Sequence, residues 1–239
     1  MKFLYGLLCV ATLFSQSRIE VYYSDSGTKF RQFELELIRH VVDLYLAQPD
    51  IKDSVDYIPV KNFHQLLDTL SVNGNGIERL SISSISYTKE RSEHYQFTKA
   101  YMYNKVAVLG DGSEQYPSDS KQRVGYITKS TQEIYLDDLK DEYELLPYYS
   151  LKTREDDFKA KKVDYILSNY VYKWAYNLDT IRVLNHTDVD KYVVAFPKNS
   201  HIYTKFNTLF SYFLQSPKFY NLIRKYFGEE GTDYFNRFK

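Results

Sequence analysis

The stretch LSISSISYTKERSEHYQFTKAY, residues 80–101, changes character twice within a short run. Leu80 and Ile82, with Ile85 beyond them, can bury one side of a strand. Hydroxyls then crowd in at Ser81, Ser83, Ser84, Ser86 and Thr88, just ahead of Lys89, Glu90 and Arg91. An apolar-aromatic patch follows at Tyr95, Phe97 and Tyr101. This is a strand that ends in a donor-rich loop, with an arginine at the start of the next turn. Hydroxyls, loop amides and a guanidinium all donate hydrogen bonds, and the planar Arg fork suits a carboxylate. The same composition also describes a plain polar loop with a solvent-facing arginine.

Working outward, residues 19–23 form a β-rich run, and a turn-like segment containing Gly27 follows. Phe33, Leu37, Ile38, Val41, Leu44 and Tyr45 recur at helical spacing, with Glu34, Glu36, Arg39 and Asp43 between them, and Pro49 lies beyond the end. Residues 55–60 are a second strand. Asn62 can cap a helix buried through Phe63, Leu66, Leu67 and Leu70, which Asn73-Gly74-Asn75-Gly76 stops. Strand, helix, strand, helix, strand is the rhythm of a mostly parallel sheet. Downstream, strands are expected at 106–109, at 123–127 with Gly125 inside, at 143–146 and at 181–184. Ser130 or Thr131 can cap a helix carrying Gln132, Glu133, Ile134 and Leu136, and its free amides suit an anion or an ordinary cap equally. Helices are also expected at 153–161, at 202–214 and from Phe219 to a stop at Gly228, with residues 229–239 peripheral.

Ser86-Tyr87-Thr88-Lys89-Glu90-Arg91, followed by Phe97-Thr98-Lys99-Ala100-Tyr101, resembles the signature of the periplasmic solute-binding proteins of the polar amino-acid transport class, bacterial extracellular solute-binding protein family 3. There a strand runs into Thr-x-x-Arg and a Phe-Ser-x-Pro-Tyr segment follows; Ala100 replaces the usual proline. Phe33-Glu34-Leu35-Glu36-Leu37 is similar to the start of the family's first helix, 163–169 to its Val-Asp-x-x-x-x-Asp segment, and 192–200 to its return strand and aromatic-Pro-Lys turn. The resemblance implies a two-lobed α/β fold of the type II periplasmic-binding kind, with a central, mostly parallel sheet in each lobe. Lobe one would comprise 18–103 and 191–239 and lobe two 104–190, with crossings near 104–107 and 188–193.

It also implies roles. Arg91 would clamp a solute carboxylate, helped by Ser86 and by backbone groups near Ser84, with Ser130 and Thr131 contributing from the second lobe. Asn169 stands where amino-acid binders carry an aspartate for the ligand ammonium. An amide oxygen accepts a hydrogen bond without neutralising charge, so the expected solute carries a carboxylate but needs no α-ammonium. Two further departures are the short segment between Tyr23 and Gln32, which lacks the family's ligand-covering aromatic, and Arg79 in place of a common aspartate. The implied partners are a small polar solute and an inner-membrane ABC permease or a sensor, with the protein acting as a monomer. The alternative is a degenerate relative serving as an envelope interaction module without a small ligand.

Composition narrows the remaining classes. The chain has 239 residues, with 31 basic and 31 acidic side chains, so no broad attraction to nucleic acid or acidic membranes is expected. Its 25 tyrosines and 15 phenylalanines suit aromatic-lined clefts, or reflect only a compositional habit. Residues 1–17 read as a secretory signal: Lys2, an apolar run from Phe3 to Phe14, then small residues at Ser15 and Ser17. Leu8 before Cys9 does not suit a lipoprotein site, so export to the periplasm without a lipid anchor is expected. Cleavage would remove the only cysteine, and with it any disulfide or thiol ligand. His40, His64, His94, His186 and His201 are scattered without metal-ligand spacing, and no phosphate loop or Gly-x-Ser-x-Gly turn occurs. Neither a cofactor nor an enzyme is expected, although Glu90 is the carboxylate nearest in sequence to Arg91.

Overall fold

The computed structural model describes residues 18–24, 28–60, 63–71, 76–112, 121–184 and 190–236. The signal-like run at 1–17, the capping Asn62 and most of the stop at 73–76 lie outside these residues. Strands β1 (Arg18–Ser24), β2 (Ser54–Val60) and β3 (Ile77–Ser86) are linked by α1 (Lys29–Leu46) and α2 (Phe63–Asp68). Then come α3 (Lys89–His94), β4 (Tyr95–Phe97) and β5 (Met102–Asn104). A second series runs β6 (Val106–Gly110), β7 (Gln122–Ile127), β8 (Tyr143–Tyr148), α4 (Leu151–Lys159), β9 (Tyr165–Asn169), α5 (Tyr172–Tyr176) and β10 (Asp179–Leu184). The chain finishes with β11 (Asp190–Pro197), α6 (Tyr203–Phe213) and α7 (Pro217–Asn236).

These strands form two sheets, one in each of two α/β lobes. The first has the order β2-β1-β3-β11-β4, with β5 also on β11; the second has the order β10-β6-β9-β7-β8. Pairing is parallel within β2-β1-β3 and β9-β7-β8, as the helical crossovers require. Strands next to the passages between lobes run the other way: β11 is antiparallel to β3, β4 and β5, and β6 to β9 and β10. Each sheet is therefore mixed.

Local chemistry explains the elements near the cleft. Thr28 Oγ1 accepts from Arg31 N at 3.3 Å and caps α1. That helix buries Phe30, Phe33, Leu37, Ile38, Val41 and Tyr45 on the first sheet. Arg79 sits opposite Glu20 across β3 and β1, and its Nε donates to Glu20 Oε2 at 3.1 Å. This departure from the family pattern is thus a cross-strand ion pair. Val106 and Val108 of β6 face one core, while Ala107 and Leu109 face another, so the strand is buried on both sides.

The passage from β5 to β6 is pinned by a buried amide. Asn104 Oδ1 accepts from Lys105 N at 2.9 Å and Val171 N at 3.3 Å, while its Nδ2 donates to Tyr192 OH at 3.2 Å. Two expectations are corrected. The segment after Ser130 is a 3-10 turn, Thr131–Tyr135, and not an α-helix. Residues beyond Gly228 are not peripheral. Gly228, with φ 68° and ψ −167°, only breaks the helical run, and Thr232 and Phe235 beyond it are buried. Tyr234 stacks on Tyr170 at 5.0 Å between centroids, and Glu230 accepts from Lys173 Nζ and Trp174 Nε1. The aromatic face of α5 supplies the apolar surface that keeps the tail ordered.

Candidate functional site

The side chains singled out from sequence come from distant elements, yet all of them line one cleft. Ser84, Ser86 and Arg91 face Ser130, Thr131 and Asn169 around a cavity of about 490 Å³. The Thr-x-x-Arg spacing has a local cause. Thr88 is extended, at φ −132°, and its Oγ1 accepts from Arg91 N at 3.1 Å, so it caps the single turn of α3. That turn folds Arg91 back over the end of β3, where Nη1 donates to Ser86 O at 2.9 Å. Burial pushes the Arg91 guanidinium below its usual value, with Asp190 opposing the shift.

Ser84 is the strained corner. Its φ of 48° is left-handed in a residue with a Cβ. The backbone turn aims Ser84 N at Glu34 Oε1, 2.5 Å away. Glu34 also accepts from Tyr101 OH and, at 2.5 Å, from Arg31 Nη1, which in turn donates to Ser84 Oγ at 3.0 Å. The Ser84 amide therefore binds a carboxylate of the protein itself. Tyr172 from α5 reaches the same corner, with its hydroxyl 3.2 Å from Ser84 Oγ.

On the opposite side, Lys129 at φ 58° turns the chain after β7. Ser130 Oγ then donates to Ile127 O at 2.7 Å and accepts from Gln132 N at 3.3 Å. Gln132 and Asp190 carry no signal in the local sequence that would have singled them out. Gln132 is buried in the cleft wall; its Nε2 donates to Asn169 Oδ1 at 3.3 Å, and its own Oε1 has no partner. Asp190, at the start of the return strand, accepts from Ser86 Oγ at 3.0 Å and from Asn169 Nδ2 at 3.5 Å. Burial pushes its carboxyl up to about 6, against the favourable pull of Ser86, the Lys191 amide and Arg91. Asn169 thus has a carboxylate beside it after all, delivered by β11 and not by β9.

The charge of the lining leans positive. Arg31, Arg91, Lys129, Lys152 and Arg154 border the cleft together with Glu155, while Glu34 pairs with Arg31 and Asp190 lies beside Ser86 and Asn169. Tyr172, Tyr192 and Tyr149 supply aromatic surface, so part of the tyrosine excess lies in the cleft.

Residues 50–229 match the family of bacterial extracellular solute-binding proteins, family 3. No curated protein matches the sequence. Among solved structures, the GluR0 ligand-binding core from Nostoc punctiforme in complex with L-glutamate is 15% identical with a TM-score of 0.64, covering 89% of this chain and 99% of that one. An ancestral arginine-binding protein bound to glutamine is 15% identical at a TM-score of 0.68, over 90% of this chain and 100% of its own. A periplasmic binding protein of Salmonella typhimurium with high arginine specificity is 15% identical at 0.67, over 88% of this chain and 99% of its own. These likenesses carry the fold, and the match over 50–229 carries the family. The chain belongs to the bacterial extracellular solute-binding proteins of family 3, and is a non-catalytic, periplasmic-type protein for a small polar ligand.

Proposed function

We propose that this protein binds a small solute bearing a carboxylate between its lobes, and that Arg91 and Ser86 hold that carboxylate from lobe one. Ser130 and Thr131 contribute from lobe two, with Asn169 and Asp190 at the seam, and Ser84 orders the corner through Glu34. Lobe one is taken as 18–103 with 191–239, and lobe two as 104–190. The carrying observation is the cation-rich lining of a cleft into which Arg91, Ser84, Ser86, Ser130, Thr131 and Asn169 converge. Cations outnumber the acidic groups of the lining, so it favours an anionic solute over a basic one such as arginine. Closure excludes water and shifts an open–closed equilibrium toward the form that an ABC permease or a sensor recognises. Residues 1–17 serve as a cleaved signal, and the protein works as a monomer.

The engagement of the Ser84 amide by Glu34 favours a second reading, an envelope interaction module without a small ligand. One thermal-shift screen separates the two. Amino acids, keto acids, dicarboxylates, short peptides and polyamines are tested on the wild type and on Arg91→Ala. A carboxylate that raises the melting temperature of the wild type and not of Arg91→Ala supports solute binding. No shift from any compound, with protein verified free of carried-over ligand, overturns it in favour of the module.

A further inference from the structure

Arg154, on α4, is the largest fully buried side chain among the described residues, 1% exposed, and it borders the cleft. Its Nη1 donates to Leu167 O at 2.9 Å, while Nε and Nη2 have no hydrogen-bond partner. It forms no ion pair among the described residues. A buried cation with two unsatisfied donors is costly unless an anion meets it. The two unsatisfied nitrogens are also a particular pair. Nε–H and the Nη2–H beside it point the same way, forming the edge of a guanidinium that grips both oxygens of one oxyanion.

The fold makes room for this arrangement. Gly125 of β7 lies under the Arg154 stem: a Cβ there would come within 3.2 Å of Arg154 Cγ and 3.0 Å of the Tyr148 ring. The other two arginines of the cleft are held already. Arg31 is paired with Glu34 at 2.5 Å, and Arg91 is anchored on the Ser86 carbonyl. Glu155, beside Arg154 in sequence, accepts from Tyr176 OH.

We propose that Arg154 is a second oxyanion site and that the solute is a dianion, with one carboxylate at Arg91 and a second oxyanionic group, carboxylate or phosphate, at Arg154. This deepens the carboxylate-binding reading and rests on it. The Nε–Nη2 edge of Arg154 takes the distal group, and the tyrosines of the cleft cover the stem between the two ends.

The test is titration calorimetry of the purified protein with pairs that end in a distal oxyanionic group in one member and a neutral group in the other. The pairs are L-glutamate and L-glutamine, glutarate and glutaramate, and L-phosphoserine and L-serine. In the wild type the member with two oxyanionic groups in at least one pair binds about 10- to 100-fold tighter than its neutral-ended partner, the range for a charge-assisted contact. Preference in the first two pairs assigns a carboxylate, and preference in the third alone a phosphate. In Arg154→Met that preference disappears while the affinity for the neutral-ended partner holds. Equal binding within every pair in the wild type overturns the dianion proposal by itself, even if Arg154→Met fails to fold. Persistence of the preference in folded Arg154→Met overturns the assignment to Arg154. If monocarboxylates bind and depend on Arg91 but dianions gain nothing, only the second site falls. If no carboxylate binds at all, the parent reading falls with it.

Discussion

Asp190 shows how one side chain can carry two demands. It accepts from Ser86 and Asn169 at the seam of the lobes, yet burial holds its carboxyl up at about 6. The folded protein therefore binds a proton there more tightly than the unfolded chain does, whose aspartates titrate near 3.9. Between about pH 4 and 6 the native state carries more bound protons, so this group's contribution is fully present below that window and is lost as pH rises through it. Asp190→Asn keeps an acceptor for Ser86 and removes the titration. It is expected to be more stable than the wild type above pH 6.5 by about 1–3 kcal/mol, with the two converging near pH 4. Urea denaturation across that range checks it, and a constant difference between the two proteins would refute the assignment. Arg79 makes the contrasting case. It departs from the family pattern but answers Glu20 across the strand pair, a structural role far simpler than a ligand contact.

At the scale of elements, the C-terminal part of α7 and the short helix α5 depend on each other. Gly228 ends one helical segment by adopting a φ of 68°, which an L side chain tolerates poorly. The segment after it survives because Phe235, Tyr234 and Glu230 find Phe227, Tyr170 and Trp174 waiting. Phe235→Ala is expected to cost about 3 kcal/mol of stability by urea denaturation, a typical value for a buried phenylalanine. Trp174 is the only tryptophan, so its emission reports the same loss directly. An unchanged midpoint and spectrum would mean that the tail is peripheral after all. The 3-10 turn at Thr131–Tyr135 is short for another local reason. Ser130 spends its hydroxyl on both Ile127 O and Gln132 N, which tightens the start of the turn and leaves Gln132 pointing at Asn169.

For the molecule as a whole, the excess of cations around the cleft does not follow from net charge, which is formally zero. On the proposed function, an anionic solute would be drawn in by that local field, which added salt screens over about 10 Å at 0.1 M. Raising sodium chloride from roughly 0.05 to 0.5 M, a span over which the Debye length falls severalfold, should weaken binding of an anionic ligand while leaving its uncharged analogue little affected. Calorimetry at the two salt concentrations checks this; equal salt responses would rule out a charge-selective cleft. The passage at Asn104 and the return at Asp190 lie side by side, and β5 pairs with β11 there. A rotation of one lobe against the other would therefore be absorbed over a few residues, as in hinge closure generally.

The sequence by itself determined much of the architecture. Apolar periodicity placed the strands and amphipathic helices, because burying one face of each element is a local requirement legible in order along the chain. The Thr88 to Arg91 spacing was legible for the same reason, since a cap and the third residue of a turn are neighbours in sequence. Tertiary structure alone brought Asp190 beside Asn169 and Ser86, put Glu34 on the Ser84 amide, and buried Arg154 beside the cleft with two unanswered donors. Those are meetings of residues up to 104 positions apart. No local propensity encodes them, because hydrogen-bond partners and desolvation exist only once the sheets have stacked side chains from separate elements into one cleft.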